Sequence, residues 1–154
     1  MEKELFEQKK ILYFGTSTPQ EVVAFSTTRI YAVSYSALSD KYTMDEYCKV
    51  ILHEAVHVLQ LITTRIAPEE SVWLYEAVAC YLTGQAADKP RKEKILSWEA
   101  VKQNFYAVPE CYGIAYHLGK ALLSSCPSRD IVALCADVPR CEAICAGAYA
   151  ALFK

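Results

Sequence analysis

The residues of this chain that can do chemistry together are His53, Glu54 and His57, in the pattern His-Glu-x-x-His. On an α-helix, side chains four positions apart project from one face, one turn above the other. Two imidazoles at that spacing can bind one zinc ion, and the glutamate beside them can take a proton from a metal-bound water. The pattern therefore predicts a zinc site. The alternative is a pair of core histidines bonded to backbone carbonyls.

The element that must carry this motif is a helix predicted from about residue 44 to 62. Thr43 and Glu46 form a capping box at its start, in which each side chain bonds the backbone N–H of the other residue. Apolar residues surround the motif on nearly all sides, so we expect the helix to be buried. Polar groups in such a helix need partners because uncompensated burial is costly, and a metal would supply one.

A catalytic zinc site needs a third protein ligand and one open position for water. Glu76 lies 19 positions after His57, in a second helix predicted to begin at Pro68 and to end near Gly84. A turn of about six residues between antiparallel helices would return Glu76 to the histidines. Alternatively, Glu76 is an ordinary surface acid, although its apolar neighbours argue against that.

The two helices together resemble a known family over residues 43–82. The pattern His-Glu-x-x-His at 53–57, followed by Trp-Leu-x-Glu-x-x-Ala-x-Tyr at 73–81, resembles the gluzincin zinc metallopeptidases, which include thermolysin and the aminopeptidase-N-type enzymes. This resemblance implies a zincin-like fold and one zinc ion per chain. Its ligands would be His53, His57 and Glu76, and Glu54 would be the general base that activates the zinc-bound water.

The resemblance also implies a downstream Tyr or His that stabilises the oxyanion. Tyr112 is the first choice, Tyr116 the second and His117 the third, although packing alone would also explain them. The strand Ile30–Tyr35 resembles the family's edge strand, which would pair with an extended peptide substrate.

Two departures from the family pattern limit what it implies. The Gly-x-Met-Glu-Asn segment that holds a substrate's free amine in the aminopeptidase-N-type branch is absent, so aminopeptidase activity is not implied. Cys80 stands where the thermolysin branch has an Asp that orients the first histidine. Because a thiol is a poor acceptor, the groups that orient the ligands must come from elsewhere.

The whole chain is predicted to be one minimal domain of the α+β class, residues 1–154. A small antiparallel sheet would occupy residues 1–40, and a mostly helical bundle with the metal site would occupy residues 43–154. Strands are predicted at 10–14 and 29–35, and residues 21–25 are strand or helix, with helix favoured. Ser97 is predicted to cap a helix that ends near 105. A charged loop at 86–94 and helices at 110–125, 130–136 and 140–152 complete the prediction.

Composition excludes several classes of function and predicts a location. The chain has 154 residues and a net charge of −2, so it has no basic surface for nucleic acid. It has no apolar run of the roughly 18 residues that a membrane span needs, and its charged N-terminus is unlike a signal peptide. Its seven cysteines include no Cys-x-x-Cys. We therefore expect reduced thiols and a cytoplasmic protein.

The sequence leads to zinc-dependent peptide-bond hydrolysis as the first hypothesis, with a peptide or protein substrate. A second hypothesis is a zinc-stabilised binding module without activity, in which Cys80 or His117 would be a fourth ligand. The small size favours this module, whereas the retained Glu54 weighs against it. A third hypothesis is a regulatory protease that cuts one protein partner. Cleavage specificity and oligomeric state stay open.

Overall fold

The computed structural model of the chain describes residues 11–13, 23–27, 29–63, 71–87, 96–126 and 131–153. The chain divides into two compact units, Met1–Ile62 and Thr63–Lys154. The described residues are mostly helical, with a small sheet near the start of the chain. The coarse prediction of an α+β protein is therefore confirmed.

The sheet in the first unit has three strands, β1 (Ile11–Tyr13), β2 (Ala24–Ser26) and β3 (Ile30–Ala32), in the order β1-β3-β2. The predicted antiparallel pairing is correct for β2 and β3. It is wrong for β1 and β3, which run parallel.

The preference for a helix over residues 21–25 is wrong at Ala24 and Phe25, which lie in β2. Phe25 is directly opposite Tyr31 in β3, and the two rings stack with their centroids 4.9 Å apart. Such a cross-strand aromatic pair stabilises a sheet, so a partner from another part of the chain outweighs the local pattern.

The expectation that the strand Ile30–Tyr35 is an edge strand is also wrong. Residues Ile30–Ala32 pair with β1 on one side and with β2 on the other. Their backbone groups are therefore engaged in the sheet. The strand ends at Ala32, and Tyr35–Ala37 form a short 3₁₀ turn.

Helix α1 (Met44–Thr63) carries the His-Glu-x-x-His motif, as predicted. Its capping box is present, since the Thr43 N–H donates to Glu46 Oε2 at 2.8 Å and the Glu46 N–H donates to Thr43 Oγ1 at 3.2 Å. Buried side chains of α1 and β3 form the core of the first unit, among them Tyr47, Ile51 and Ile30. The Tyr47 hydroxyl donates to the backbone oxygen of Val33 at 2.7 Å. This core fixes the face of α1 that is turned to the sheet.

The second unit contains five described helices: α2 (Val72–Thr83), α3 (Trp98–Gln103), α4 (Cys111–Ser124), α5 (Ile131–Ala136) and α6 (Val138–Leu152). The residues of Phe105–Ala107 form a 3₁₀ turn. In the described part of the chain, no helix combines the length and apolar character that a membrane crossing requires.

Several predicted helix ends are confirmed and two are wrong. Gly84 ends α2 in the left-handed conformation with φ 68°, and the Ser97 hydroxyl accepts from Ala100 N–H at the start of α3. However, α2 begins at Val72 instead of Pro68, because Ser71 has non-helical dihedral angles. Helix α6 begins before residue 140, since Asp137 caps it. Most of the predicted charged loop, residues 88–94, lies outside the described residues.

Close contact between α2 and α4 dominates the second unit. A Cβ atom on Gly119 of α4 would meet the backbone oxygen of Ala77 at 1.9 Å and Tyr81 Cβ at 2.7 Å. Only a glycine at this position allows the two helices to approach so closely. Around them lies an aromatic cluster in which Trp98 contacts both Trp73 and Tyr149.

All seven cysteines are free thiols, as predicted, and six of them are buried. Burial raises the pKa of Cys135 from its ordinary value of 9.0 to about 11, and it raises the pKa of Cys141 to about 12. The Cys141 thiol donates to the backbone oxygen of Leu134 at 3.1 Å. These thiols therefore behave as small core residues in their neutral form.

Candidate metal centre

The two histidines of the motif face each other on α1. Their Nε2 atoms are 2.9 Å apart, and their rings are nearly perpendicular, with centroids separated by 4.5 Å. The helical spacing of four residues places one ring above the other, as the sequence predicts. In this contact, the two imidazoles bond each other.

Gln60, one turn after His57, bonds the opposite side of the His57 ring. Its side-chain oxygen accepts from His57 Nδ1 at 2.8 Å. In the neutral ring, a proton on Nδ1 leaves a lone pair on Nε2. This lone pair points at Nε2 of His53, so the proton between the two rings is donated by His53.

Imidazole nitrogens are ligands that zinc takes in proteins. Two nitrogen ligands of a tetrahedral zinc, each about 2.0–2.1 Å from the metal, lie roughly 3.3 Å from each other. The observed separation of 2.9 Å is the length of a hydrogen bond. A small rotation of either ring would bring the two nitrogens to the ligand spacing, and the ion would replace the shared proton.

In and after the motif, polar side chains of α1 are buried while large apolar side chains are exposed. His53 is 4% exposed, Glu54 8% and Gln60 5%, whereas Leu59 and Ile62 on the same helix are 58% and 65% exposed. The expectation that α1 is buried on all sides is therefore wrong near its end. Burial of polar side chains is costly without partners. Departures of this kind from the burial rule are typical of functional sites.

Glu76, the predicted third ligand, is buried at 3% exposure in the middle of α2. The alternative that it is a surface acid is therefore wrong. Its Oε1 atom accepts a hydrogen bond of 2.7 Å from the hydroxyl of Tyr106, which lies in the 3₁₀ turn after α3. A hydrogen bond to a carboxylate is stronger than one between neutral groups and fixes the orientation of the acid.

The three predicted oxyanion residues lie on α4. Tyr112 is exposed, and its ring centroid is 6.5 Å from that of Tyr106. Tyr116 packs against Tyr81 of α2 and against its neighbour His117. Within the second unit, Tyr112 therefore neighbours the tyrosine that is bonded to Glu76. Packing on Tyr81 accounts for Tyr116.

Cys80, one turn after Glu76, is fully buried. Burial raises the pKa of its thiol, and the carboxylate of Glu76 and then Cys111 raise it further. The thiol is thus neutral over the ordinary pH range.

The structure therefore supplies two sets of residues, one in each unit. His53, Glu54, His57 and Gln60 are held by α1, and Glu76 is held with Tyr106 and Tyr112 by the second unit. That His53, His57 and Glu76 bind one metal together remains a prediction from the sequence pattern.

Two residues of this description, Gln60 and Tyr106, were not found from the sequence. Gln60 had a usable signal, since it is a polar residue three positions after His57 in an apolar stretch, and residues at that spacing are neighbours on a helix. Tyr106 had none, because it reaches Glu76 across 30 positions of the chain.

Comparison of the chain with protein-family models, with curated proteins and with solved structures finds no significant match. The likeness to gluzincins consequently depends on the motif residues and on the chemistry of the site.

Proposed function

We propose that this protein is a zinc-dependent metallopeptidase that hydrolyses peptide bonds, with His53, His57 and Glu76 as the ligands of one zinc ion. The observation that carries the proposal is the pair of imidazole Nε2 atoms 2.9 Å apart on α1, beside the buried Glu54 of the same helix. Two histidines and one glutamate are a ligand set of catalytic zinc sites, which keep a position open for water.

Each side chain has a distinct part in this proposal. His53 and His57 offer their Nε2 lone pairs, and Glu76 offers a carboxylate that Tyr106 holds in place through Oε1. When bound, zinc supplies a Lewis acid that polarises the scissile carbonyl and lowers the pKa of the attacking water. Glu54 takes the proton of that water and later gives it to the leaving amine.

Tyr112 is proposed to stabilise the oxyanion by a hydrogen bond from its phenol. Removal of one such donor costs on the order of 3 kcal/mol of transition-state stabilisation in well-studied enzymes. The proximity of Tyr112 to Tyr106 supports this choice over Tyr116, which packs on Tyr81. The zincin-like fold is part of the same proposal.

The second candidate is a zinc-stabilised binding module without peptidase activity. The specific observation in its favour is that β3 is bonded on both sides, so residues 30–32 cannot receive a substrate strand by β-addition. A module of this kind would have no use for a base at position 54.

Exchange of Glu54 for Gln separates the two candidates. Wild type, Glu54→Gln and the surface control Glu99→Gln are loaded with zinc and incubated with a mixed peptide library, and new termini are identified by mass spectrometry. We expect equal zinc content in all three, cleavage by wild type and control, and a loss of at least about 100-fold in Glu54→Gln.

Two outcomes would contradict parts of this proposal. Undiminished cleavage by Glu54→Gln would remove Glu54 from the general-base role. A wild type that holds zinc and cleaves neither the library nor unfolded protein substrates would favour the binding module.

A further inference from the structure

We infer that Gln60 is the positioning residue for the second histidine: its side-chain oxygen fixes the proton of His57 on Nδ1, so that the Nε2 lone pair is presented to the metal. This inference rests on the proposed function for the identity of the ion. The hydrogen bond itself, with Nδ1 and Oε1 2.8 Å apart, does not depend on that function.

The chemistry of imidazole gives this bond its importance. A neutral histidine carries its proton on one of two nitrogens, and only the other can bind a metal. Without Gln60, the contact between the two Nε2 atoms allows either imidazole to donate, so His57 would carry its proton on either nitrogen. An acceptor at Nδ1 selects the one tautomer in which Nε2 is a ligand, and it also fixes the rotation of the ring.

Gln60 is suited to this task by its position. It follows His57 by three residues, so it lies one turn further on the same side of α1. It is buried, although the apolar Leu59 beside it is exposed. An ordinary helix of this composition would bury Leu59 and expose the amide. In this position the Gln60 side chain reaches His57 Nδ1.

The neutral amide has a further consequence for the charge of the site. A carboxylate would also accept from Nδ1, as in many zinc sites. Glu54 already places one buried acidic side chain on the same helix, and buried like charges are unfavourable. Gln60 orients the ring without adding another acid to this helix.

The test uses the full-length protein with three variants. Gln60→Leu removes the acceptor at nearly unchanged volume, Gln60→Glu keeps an acceptor, and Gln103→Leu changes an exposed glutamine of α3 as the matched control. Far-ultraviolet circular dichroism and thermal unfolding verify that each variant folds.

The first readout is the tautomer of His57 in the metal-free protein, from the nitrogen chemical shifts of the imidazole at a pH where the ring is neutral. Wild type and Gln103→Leu should carry the proton on Nδ1, whereas Gln60→Leu should show both tautomers. A merely structural glutamine would leave this signature unchanged.

The second readout is zinc affinity, measured with zinc alone by competition against a chelator. Loss of a residue that orients a ligand histidine typically weakens binding by about 10–100-fold, and we expect this for Gln60→Leu. Gln60→Glu should recover most of the affinity, and Gln103→Leu should equal wild type.

The outcomes distinguish the inference from the proposed function. A wild type with the His57 proton on Nε2, or a folded Gln60→Leu with wild-type zinc affinity, overturns the role of Gln60. A wild type with the proton on Nδ1 that binds no zinc overturns the proposed function and leaves the hydrogen bond as a structural one. Because the wild-type tautomer alone can refute the inference, a variant that failed to fold would not protect it.

Discussion

The end of α1 and the contact between α2 and α4 follow opposite rules of burial. In α1 the polar side chains His53, Glu54 and Gln60 are inside while Leu59 and Ile62 are exposed. In α2 and α4, small and apolar residues meet so closely that Gly119 has no room for a Cβ atom beside Ala77. The contact between α2 and α4 buries apolar surface, which stabilises the fold, whereas α1 leaves apolar surface exposed.

This difference is expected if α1 carries the proposed site. Local departures from the burial rule are expected at functional sites, where a sequence retains groups for chemistry at the expense of stability. In the proposed site, close packing of α2 against α4 would hold Glu76 in a fixed position.

The largest effect is expected from Gly119→Ala. The added methyl would overlap the backbone oxygen of Ala77 at 1.9 Å, and backbone cannot move aside as a flexible side chain can. We expect the free energy of unfolding to fall by about 3 kcal/mol or more, measured by urea denaturation. The control is Gly147→Ala in α6, where a Cβ meets nothing within 4 Å, and this change should stabilise the helix by roughly 0.5–1 kcal/mol.

If Gly119→Ala were as stable as wild type, α2 and α4 would not pack as closely as described. Close packing would then no longer distinguish the contact between α2 and α4 from α1.

A second effect is an alkaline loss of stability that belongs to the second unit. Burial raises the pKa of Cys135 to about 11 and that of Cys141 to about 12. The folded protein therefore holds these protons to higher pH than the unfolded chain, whose thiols ionise near 9.0. Because the unfolded state loses protons first, the free energy of unfolding should fall as pH rises from about 9 toward 12.

Denaturation at several pH values measures this slope. Cys141→Ser keeps a donor for the backbone oxygen of Leu134 and removes the thiol, so its slope should be smaller. Equal slopes in wild type and Cys141→Ser would show that the buried thiols do not cause the loss.

The smallest effect is expected at the start of α1, which obeys ordinary rules although its end does not. Thr43→Ala removes the hydroxyl that accepts from the Glu46 N–H and should lower the free energy of unfolding by about 1 kcal/mol. Zinc affinity should stay unchanged, since the cap lies ten positions before His53. A large loss of zinc in a folded Thr43→Ala would mean that the motif depends on the whole helix.

Features encoded by short-range chemistry were predictable from the sequence. The capping box of Thr43 and Glu46, the helix with the histidine pair and the left-handed Gly84 each depend on neighbours within four residues. The apolar surroundings of Glu76 were also enough to predict that it is no surface acid.

Features that depend on distant partners were not predictable. β2 is a strand because Phe25 stacks on Tyr31 across the sheet, and the parallel pairing of β1 makes β3 a central strand. Tyr106, in the 3₁₀ turn after α3, bonds Glu76 across 30 positions of the chain. In each case the local pattern is compatible with several structures, and a contact over long sequence separation selects one.

The central claim, one zinc ion bound through His53, His57 and Glu76, is tested most directly by the metal content of the purified protein. Elemental analysis compares wild type, Glu76→Ala and the surface control Glu99→Ala, all verified as folded. The account predicts about one zinc per chain in wild type and control, and a strong loss in Glu76→Ala. A folded wild type without zinc, even after zinc is supplied, would contradict the claim, and His53 and His57 would then be core residues that bond each other.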